Sequence, residues 1–305
     1  MLAVELRDLC KTFKATPVIE HLSLQIEAGE MLGVLGPPGA GKTTLLHMMS
    51  GLIAPDRGEI AIMGYRLPRE LRHVQRLSGV VQQITTFYED LTAWDNLAVL
   101  ADLSGIPYKK KRFHIFSALM RLQLLEQQQC RVSTLSSAMK RRLALACALL
   151  TDPPLLYLDE LSSGIDAQER FALWDYVRSL RTLNKTCVLA TSSFEEACTL
   201  CDRIALIVSG KLLIIGVPEQ FKQWYGDIVI ELDLAHPFTS YADLETLQGV
   251  KKSVSRGLTL SITALDSRQV LPPLITLVAQ ECEIKALRVR AVELDEILPS
   301  LSRVL

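Results

Sequence analysis

A chain of 305 residues, 49% apolar and 22% charged, has room for about two globular domains. Its formal net charge of −1 lacks the basic footprint of a nucleic-acid binder, and no apolar run reaches the roughly 18 residues needed to cross a bilayer. Seven cysteines, an odd number scattered along the chain, predict reduced thiols in a reducing compartment.

The first residues, MLAVELRDL, have neither a basic start nor a long apolar core, so no secretory signal is expected and the chain is expected to stay in the cytosol. No internal repeat is visible, which rules against a solenoid. From Val4 to about Ile62 the pattern predicts short strands and one helix. That helix begins near Lys42 and stops before the turn Pro55-Asp56-Arg57-Gly58. At its start stands GVLGPPGAGKTT, Gly33 to Thr44, with G-x-x-x-x-G-K-[ST] spelled by Gly36, Gly41, Lys42 and Thr43. A glycine-rich loop between a strand and a helix lets backbone N–H groups of Gly36, Pro37, Pro38, Gly39, Ala40 and Gly41, proline excepted, converge on phosphate oxygens; the positive helix end at Thr43 and Thr44 favours the same anion. In such a motif Lys42 reaches the β- and γ-phosphates, and Thr43 holds Mg²⁺.

Trp94 to Leu150 is mostly helical by its spacing of three and four. Within it, Lys109 to Arg112 reads as a solvated helix start or, less simply, a contact for anionic lipid. The tightest apolar cluster, LALACALL, follows Lys140, Arg141 and Arg142 and is too short to span a membrane. Leu155 to Leu158 is an apolar run between Pro153-Pro154 and two acids, as in a parallel strand buried on both faces. It ends in Asp159-Glu160, at the carboxyl edge where open α/β sheets bind ligands. Asp159 suits a water-mediated contact to Mg²⁺, and Glu160 suits a general base for an attacking water.

Helices and strands then alternate to about Gly216, with Ser209-Gly210 as a hairpin turn. In VLATSSFEEA, Ser193 and Glu196 fit a capping box, which leaves Ser192 unexplained. Cys198 and Cys201 form a C-x-x-C with no histidine between His114 and His236, so the helix-core reading is preferred to a metal. Asn184-Lys185-Thr186-Cys187 lacks the aspartate of a guanine-reading motif. After Pro218, strands are expected over Asp227 to Leu234, Gly257 to Thr263 and Glu283 to Val289, with helices near Tyr241 to Leu247 and Ser267 to Gln280. The predicted division is an α/β domain over residues 1–224, with a helical subdomain at about 84–150, and a small α+β accessory domain over 225–305.

With these motifs in order, residues 3 to 216 resemble the ATP-binding cassette (ABC) ATPases, a P-loop NTPase fold with a mixed sheet and a helical subdomain. The segment Val132 to Leu150 looks like that family's signature, with Leu135, Ser136, Ser137, Ala138 and Met139 at the motif. The resemblance implies ATP and Mg²⁺ as ligands and separate transmembrane permease subunits as partners. It also implies a second ABC ATPase domain, of the same or a different chain, a place on the cytoplasmic face of the cell membrane, and no nucleic acid. By similarity Phe13 stacks on adenine, Gln83 links Mg²⁺ and water to the transport partner, and Ser163 to Asp166 cross the dimer. The plainer readings are core for Phe13, a loop surface for Gln83 and a helix N-cap for Asp166. YEDLTAWDNL and the C-terminal appendage, with Pro299-Ser300-Leu301, are similar to multidrug-export-type subunits, which implies export of drug-like or other hydrophobic substrates.

Two positions depart from the family. Its signature Leu-Ser-Gly-Gly reads Leu135-Ser136-Ser137-Ala138 here, so a Cβ stands where glycine approaches the partner's γ-phosphate, and a left-handed φ there carries a cost. The histidine usual after the strand Val188 to Thr191, which contacts the terminal phosphate in the family, is Ser192 here, so the resemblance implies a weakened phosphate-sensing position: the hydroxyl donates one hydrogen bond, is shorter than imidazole and does not titrate near neutrality. The alternative function is therefore a weakly hydrolysing regulatory partner of a second ATPase. A ribosome- or DNA-acting cassette is disfavoured by the single cassette and the absence of sustained heptads.

Overall fold

The computed structural model describes residues 1–84, 86–225, 228–240, 244 and 246–292. They form two compact units, residues 1–192 with 200–215, and residues 193–199 with those from 216 onward. No helix among the described residues is long and apolar enough to cross a membrane.

The first unit opens with β1 (Leu2–Phe13) and β2 (Thr16–Glu27), which pair antiparallel. These strands were expected to be short. They run twelve residues each because register shifts between Leu6 and Lys11 absorb extra residues and add twist instead of ending the ladder. Asp8, at φ 48° in this stretch, is a residue type that tolerates the left-handed region. β4 (Arg57–Ile62) and β5 (Tyr65–Leu67) complete the sheet in the order β2-β1-β4-β5.

A six-stranded sheet holds the centre, in the order β10-β9-β3-β8-β7-β6. Its strands are β3 (Met31–Leu35), β6 (Ser78–Val81), β7 (Leu155–Asp159), β8 (Thr186–Thr191), β9 (Arg203–Val208) and β10 (Lys211–Gly216). β3, β7 and β8 are buried at every position, as parallel strands covered on both faces must be. Leu45, Met48 and Met49 of α1 (Lys42–Met49) pack against Leu155, Tyr157, Val188 and Ala190 in one core. The β9-β10 turn has φ 48° at Ser209 and 78° at Gly210, both positive as a two-residue hairpin of the mirror-image type requires.

The helical segment comprises α3 (Ala93–Leu103), α4 (Tyr108–Arg121) and α5 (Ser137–Leu149), preceded by the short α2 (Leu71–Leu77). α6 (Ala167–Thr182) connects β7 to β8, and α7 (Phe194–Leu200) follows β8.

In the second unit, α8 (Pro218–Tyr225) starts on a proline, whose fixed φ and missing N–H suit a first helical position. An antiparallel sheet, β12-β13-β11-β14, follows, built from β11 (Ile228–Leu234), β12 (Val250–Arg256), β13 (Thr259–Ala264) and β14 (Ile284–Ala291). One core joins Ile230, Leu232, Leu260 and Ile262 to Val270, Leu274 and Val278 of α9 (Ser267–Glu281). β12 was not expected from its sequence, VKKSVSR. It is an edge strand, half in solvent, and charge on an edge blunts pairing with other chains. Most of the predicted helix Tyr241 to Leu247, and all of Pro299-Ser300-Leu301, lie outside the described residues.

Candidate nucleotide site

Strand register gathers the site. Leu35 of β3 lies opposite Thr191 of β8, and Asp159 of β7 opposite Ala190 of β8. Gly36, Ser192 and Glu160, the residues after those partners, therefore leave the sheet at one edge. Backbone bonds hold them there, from Gly36 N to Thr191 O at 3.3 Å and from Glu160 N to Ala190 O at 2.8 Å.

The loop Gly36 to Gly41 turns from β3 into α1 with its tip, Pro38 and Gly39, exposed. Gly41 is the N-cap of α1 at φ 100° with no side-chain cap, so the helix's first N–H groups stay available to an anion. A Cβ at Gly41 would fall 2.6 Å from the carbonyl oxygen of Val18. Gly41→Ala is therefore expected to lower the unfolding free energy by about 2 kcal/mol, the left-handed strain plus the contact, as read from urea unfolding midpoints.

Lys42 is buried, and its ammonium donates to Gly36 O at 2.7 Å and Pro37 O at 3.2 Å and lies 3.3 Å from Glu160 Oε1. Thr43 Oγ1 donates to Asp159 Oδ2 at 2.8 Å. The other oxygen, Asp159 Oδ1, is buried with no hydrogen-bond partner among the described residues. Burial pushes the Asp159 carboxyl up from its ordinary value; the Thr43 bond holds it down in part, and the neighbouring Glu160 charge raises it further. An orphaned carboxylate oxygen beside a threonine hydroxyl is a hard oxygen donor set, which fits Mg²⁺.

Ser192 Oγ donates to Glu160 Oε2 at 3.2 Å, so both carboxylate oxygens of Glu160 are engaged, one by Lys42 and one by Ser192. The cap at α7 is made by the next residue, whose Ser193 Oγ accepts from Glu196 N at 3.1 Å.

The remaining predicted residues lie around this edge or apart from it. Phe13, at the end of β1, is 42% exposed, which removes the core reading, and Lys11 Nζ sits 5.3 Å from its ring centroid. Gln83 is exposed and lines an open cleft of about 280 Å³ with Ser137, Arg141, Ser163 and Gly164. Ser136 caps α5 by accepting from Met139 N at 3.2 Å. Ser137 and Ala138 are its first two helical residues, and neither has a positive φ, so no left-handed backbone is required of them here. Ala138 is buried, whereas Ser137 is exposed, so of the two added Cβ atoms only that of Ser137 stands at the surface. Asp166 accepts from Glu169 N at 3.0 Å as the N-cap of α6.

Sequence reasoning passed over Arg141. Its guanidinium donates to the carbonyls of Gln82 at 2.9 Å, Gln83 at 3.1 Å and Glu160 at 3.3 Å. The available signal was three successive cations near the start of a helix, where the dipole disfavours them.

Comparison with known proteins covers most of the chain. Residues 19–163 match the family model described as ABC transporter. A Nod factor export ATP-binding protein I of Rhizobium etli is 37% identical over 250 residues, 82% of this chain and 78% of that one. The protein of the same name from Paraburkholderia xenovorans is 36% identical over 269 residues, 88% of each chain. A solved ATP-binding subunit of an ABC transporter superposes with a TM-score of 0.65 at 26% identity, over 73% of this chain and 93% of that one.

Proposed function

Since this chain belongs to the ATP-binding proteins of ABC transporters, an ATPase that powers a membrane transporter, we propose that it drives export and that Glu160 activates the water in its own nucleotide site. Export is the role that the relatives' names carry, and a drug-like or other hydrophobic cargo is the class we assign. The observation that carries the site is the meeting of Lys42, Thr43, Asp159 and Glu160 at one sheet edge.

In this reading Lys42 exchanges the carbonyls of Gly36 and Pro37 for phosphate oxygens, which frees Glu160 Oε1 to face the γ-phosphate. Thr43 and Asp159 would hold Mg²⁺, which supplies charge neutralisation to the phosphates. Glu160 takes a proton from water as the new O–P bond forms in line. The bond from the γ-phosphorus to the bridging oxygen breaks, and the products are ADP and inorganic phosphate. Phe13 stacks on adenine, and Gln83 and Asp166 lie at the contacts to the membrane subunit and the second cassette. Residues 1–224 serve as the cassette, and 225–305 as the accessory domain.

Ser192 supports Glu160 directly, through its hydroxyl. Ser192→Ala is expected to lower steady-state ATP turnover about 10- to 100-fold, the worth of one hydrogen bond to a charged group, with Mg-ATP affinity unchanged by calorimetry. Unchanged turnover would remove Ser192 from the site. A second reading, a regulatory cassette paired with a more active one, is favoured by the exposed Ser137 where the family carries glycine. Mg-ATP titration of the folded chain with its membrane partner tests both, because each requires binding.

A further inference from the structure

α5 carries Lys140, Arg141 and Arg142 within its first six residues. Glu89 meets Lys140 at 3.0 Å, and Glu169 meets Arg142. The half-buried Arg141 sends Nη1 to Gln82 O, and Nη2 to both Gln83 O and Glu160 O. One planar fork thus spans two loops, the one that follows β6 and the one that follows β7. Arginine's rigid donor geometry suits such a task better than a lysine's single nitrogen.

The backbone at Glu160 needs that support. Glu160 has φ 46°, in the left-handed region that a non-glycine residue keeps only when its surroundings hold it. Its N–H is held by Ala190 O at 2.8 Å, and its carbonyl accepts from Ser163 N at 3.2 Å and from Arg141 at 3.3 Å. The side chain that leaves this constrained backbone is the one shared by Lys42 and Ser192. The same guanidinium fixes the carbonyl of Gln83, which faces the cleft shared with Ser137, the first residue of α5.

We propose that Arg141 is a positioning residue that sets Glu160 and the Gln83 loop against one another for ATP hydrolysis, and that it carries a displacement at the start of α5 to the base. The inference rests on the assignment of Glu160 as that base. Arg141 touches neither water nor phosphate in this scheme. It acts on orientation, where a displacement of about 1 Å costs on the order of 100-fold in rate.

The test compares Arg141→Met, Arg141→Lys, Glu160→Gln and the double variant Arg141→Met/Glu160→Gln in the full chain assembled with its membrane subunits. Calorimetry with Mg-ATP and steady-state hydrolysis are the readouts. For Arg141→Met, kcat is expected to fall about 10- to 100-fold while KM and the Mg-ATP Kd move less than about twofold, and Arg141→Lys should recover part of the loss. The double variant should turn over no more slowly than Glu160→Gln alone, because positioning a base has no value once the base is gone. Unchanged kcat in Arg141→Met would overturn the proposal. So would a kcat loss accompanied by an equal rise in Kd, or losses that multiply in the double variant. Should Arg141→Met fail to fold, Arg141→Lys keeps the charge and stem, and the same split of kcat from KM decides. A normal kcat in Glu160→Gln sinks the assignment of the base, a result separate from any effect at Arg141.

Discussion

Replacing Glu160 with glutamine is expected to lower ATP turnover about 10²- to 10⁴-fold while Mg-ATP still binds, the range a positioned general base contributes. The amide has nearly the same shape and still accepts from Ser192, so the loss falls on the proton transfer and not on the packing. Removing the negative charge also releases Lys42 from its 3.3 Å contact, which leaves the ammonium to the phosphates and should hold or tighten the affinity for ATP. Steady-state phosphate release gives the rate, and calorimetry gives the affinity. A variant that hydrolyses as fast as the parent chain would overturn the assignment of the base. A parent chain that itself barely hydrolyses, with or without Glu160, would favour the regulatory reading, since such a cassette has little use for an aligned carboxylate.

Lys42→Met should reduce kcat/KM about 10³-fold, with most of the effect in the transition state, because a preorganised donor aimed at developing phosphate charge is worth about 10²- to 10³-fold and ground-state binding adds to it. The structure explains why the ammonium is placed in advance. Lys42 is buried at the start of α1, and the carbonyls of Gly36 and Pro37 hold its nitrogen at 2.7 and 3.2 Å where the loop encloses it. Methionine keeps the stem volume, so the core around α1 stays filled while the donors vanish. It also strips one partner from Glu160, so a modest loss of stability accompanies the loss of rate. Full activity in a folded Lys42→Met chain, established by hydrolysis and by a cooperative urea transition, would show that the loop grips no triphosphate.

Much of this site can be read along the chain because its parts are local. Gly36 to Thr43 form one loop and one helix start, and LLYLDE is one strand with its terminal acids, so spacing and burial pattern identify each without the other. The hairpin at Ser209-Gly210 is legible for the same reason, since a positive φ at two successive residues is a property of the turn itself. β12 is not legible: its two valines among lysines and serines carry no alternation, and the neighbouring β13 makes it a strand. The long β1 and β2 are hidden by bulges, which interrupt the period of two without ending the pairing.

Sequence alone determined that a glycine-rich loop opening a helix and a buried strand ending in two acids exist in an α/β chain, since each depends on residues close in the sequence. Tertiary structure decided what those parts do to one another. The level ends of β3, β8 and β7 bring Ser192 to Glu160 across 32 positions, and the direction of α5 brings Arg141 to the carbonyls of two different loops. Such pairings follow from strand order and helix packing, and a hydroxyl or guanidinium finds its acceptor only after the whole sheet has closed.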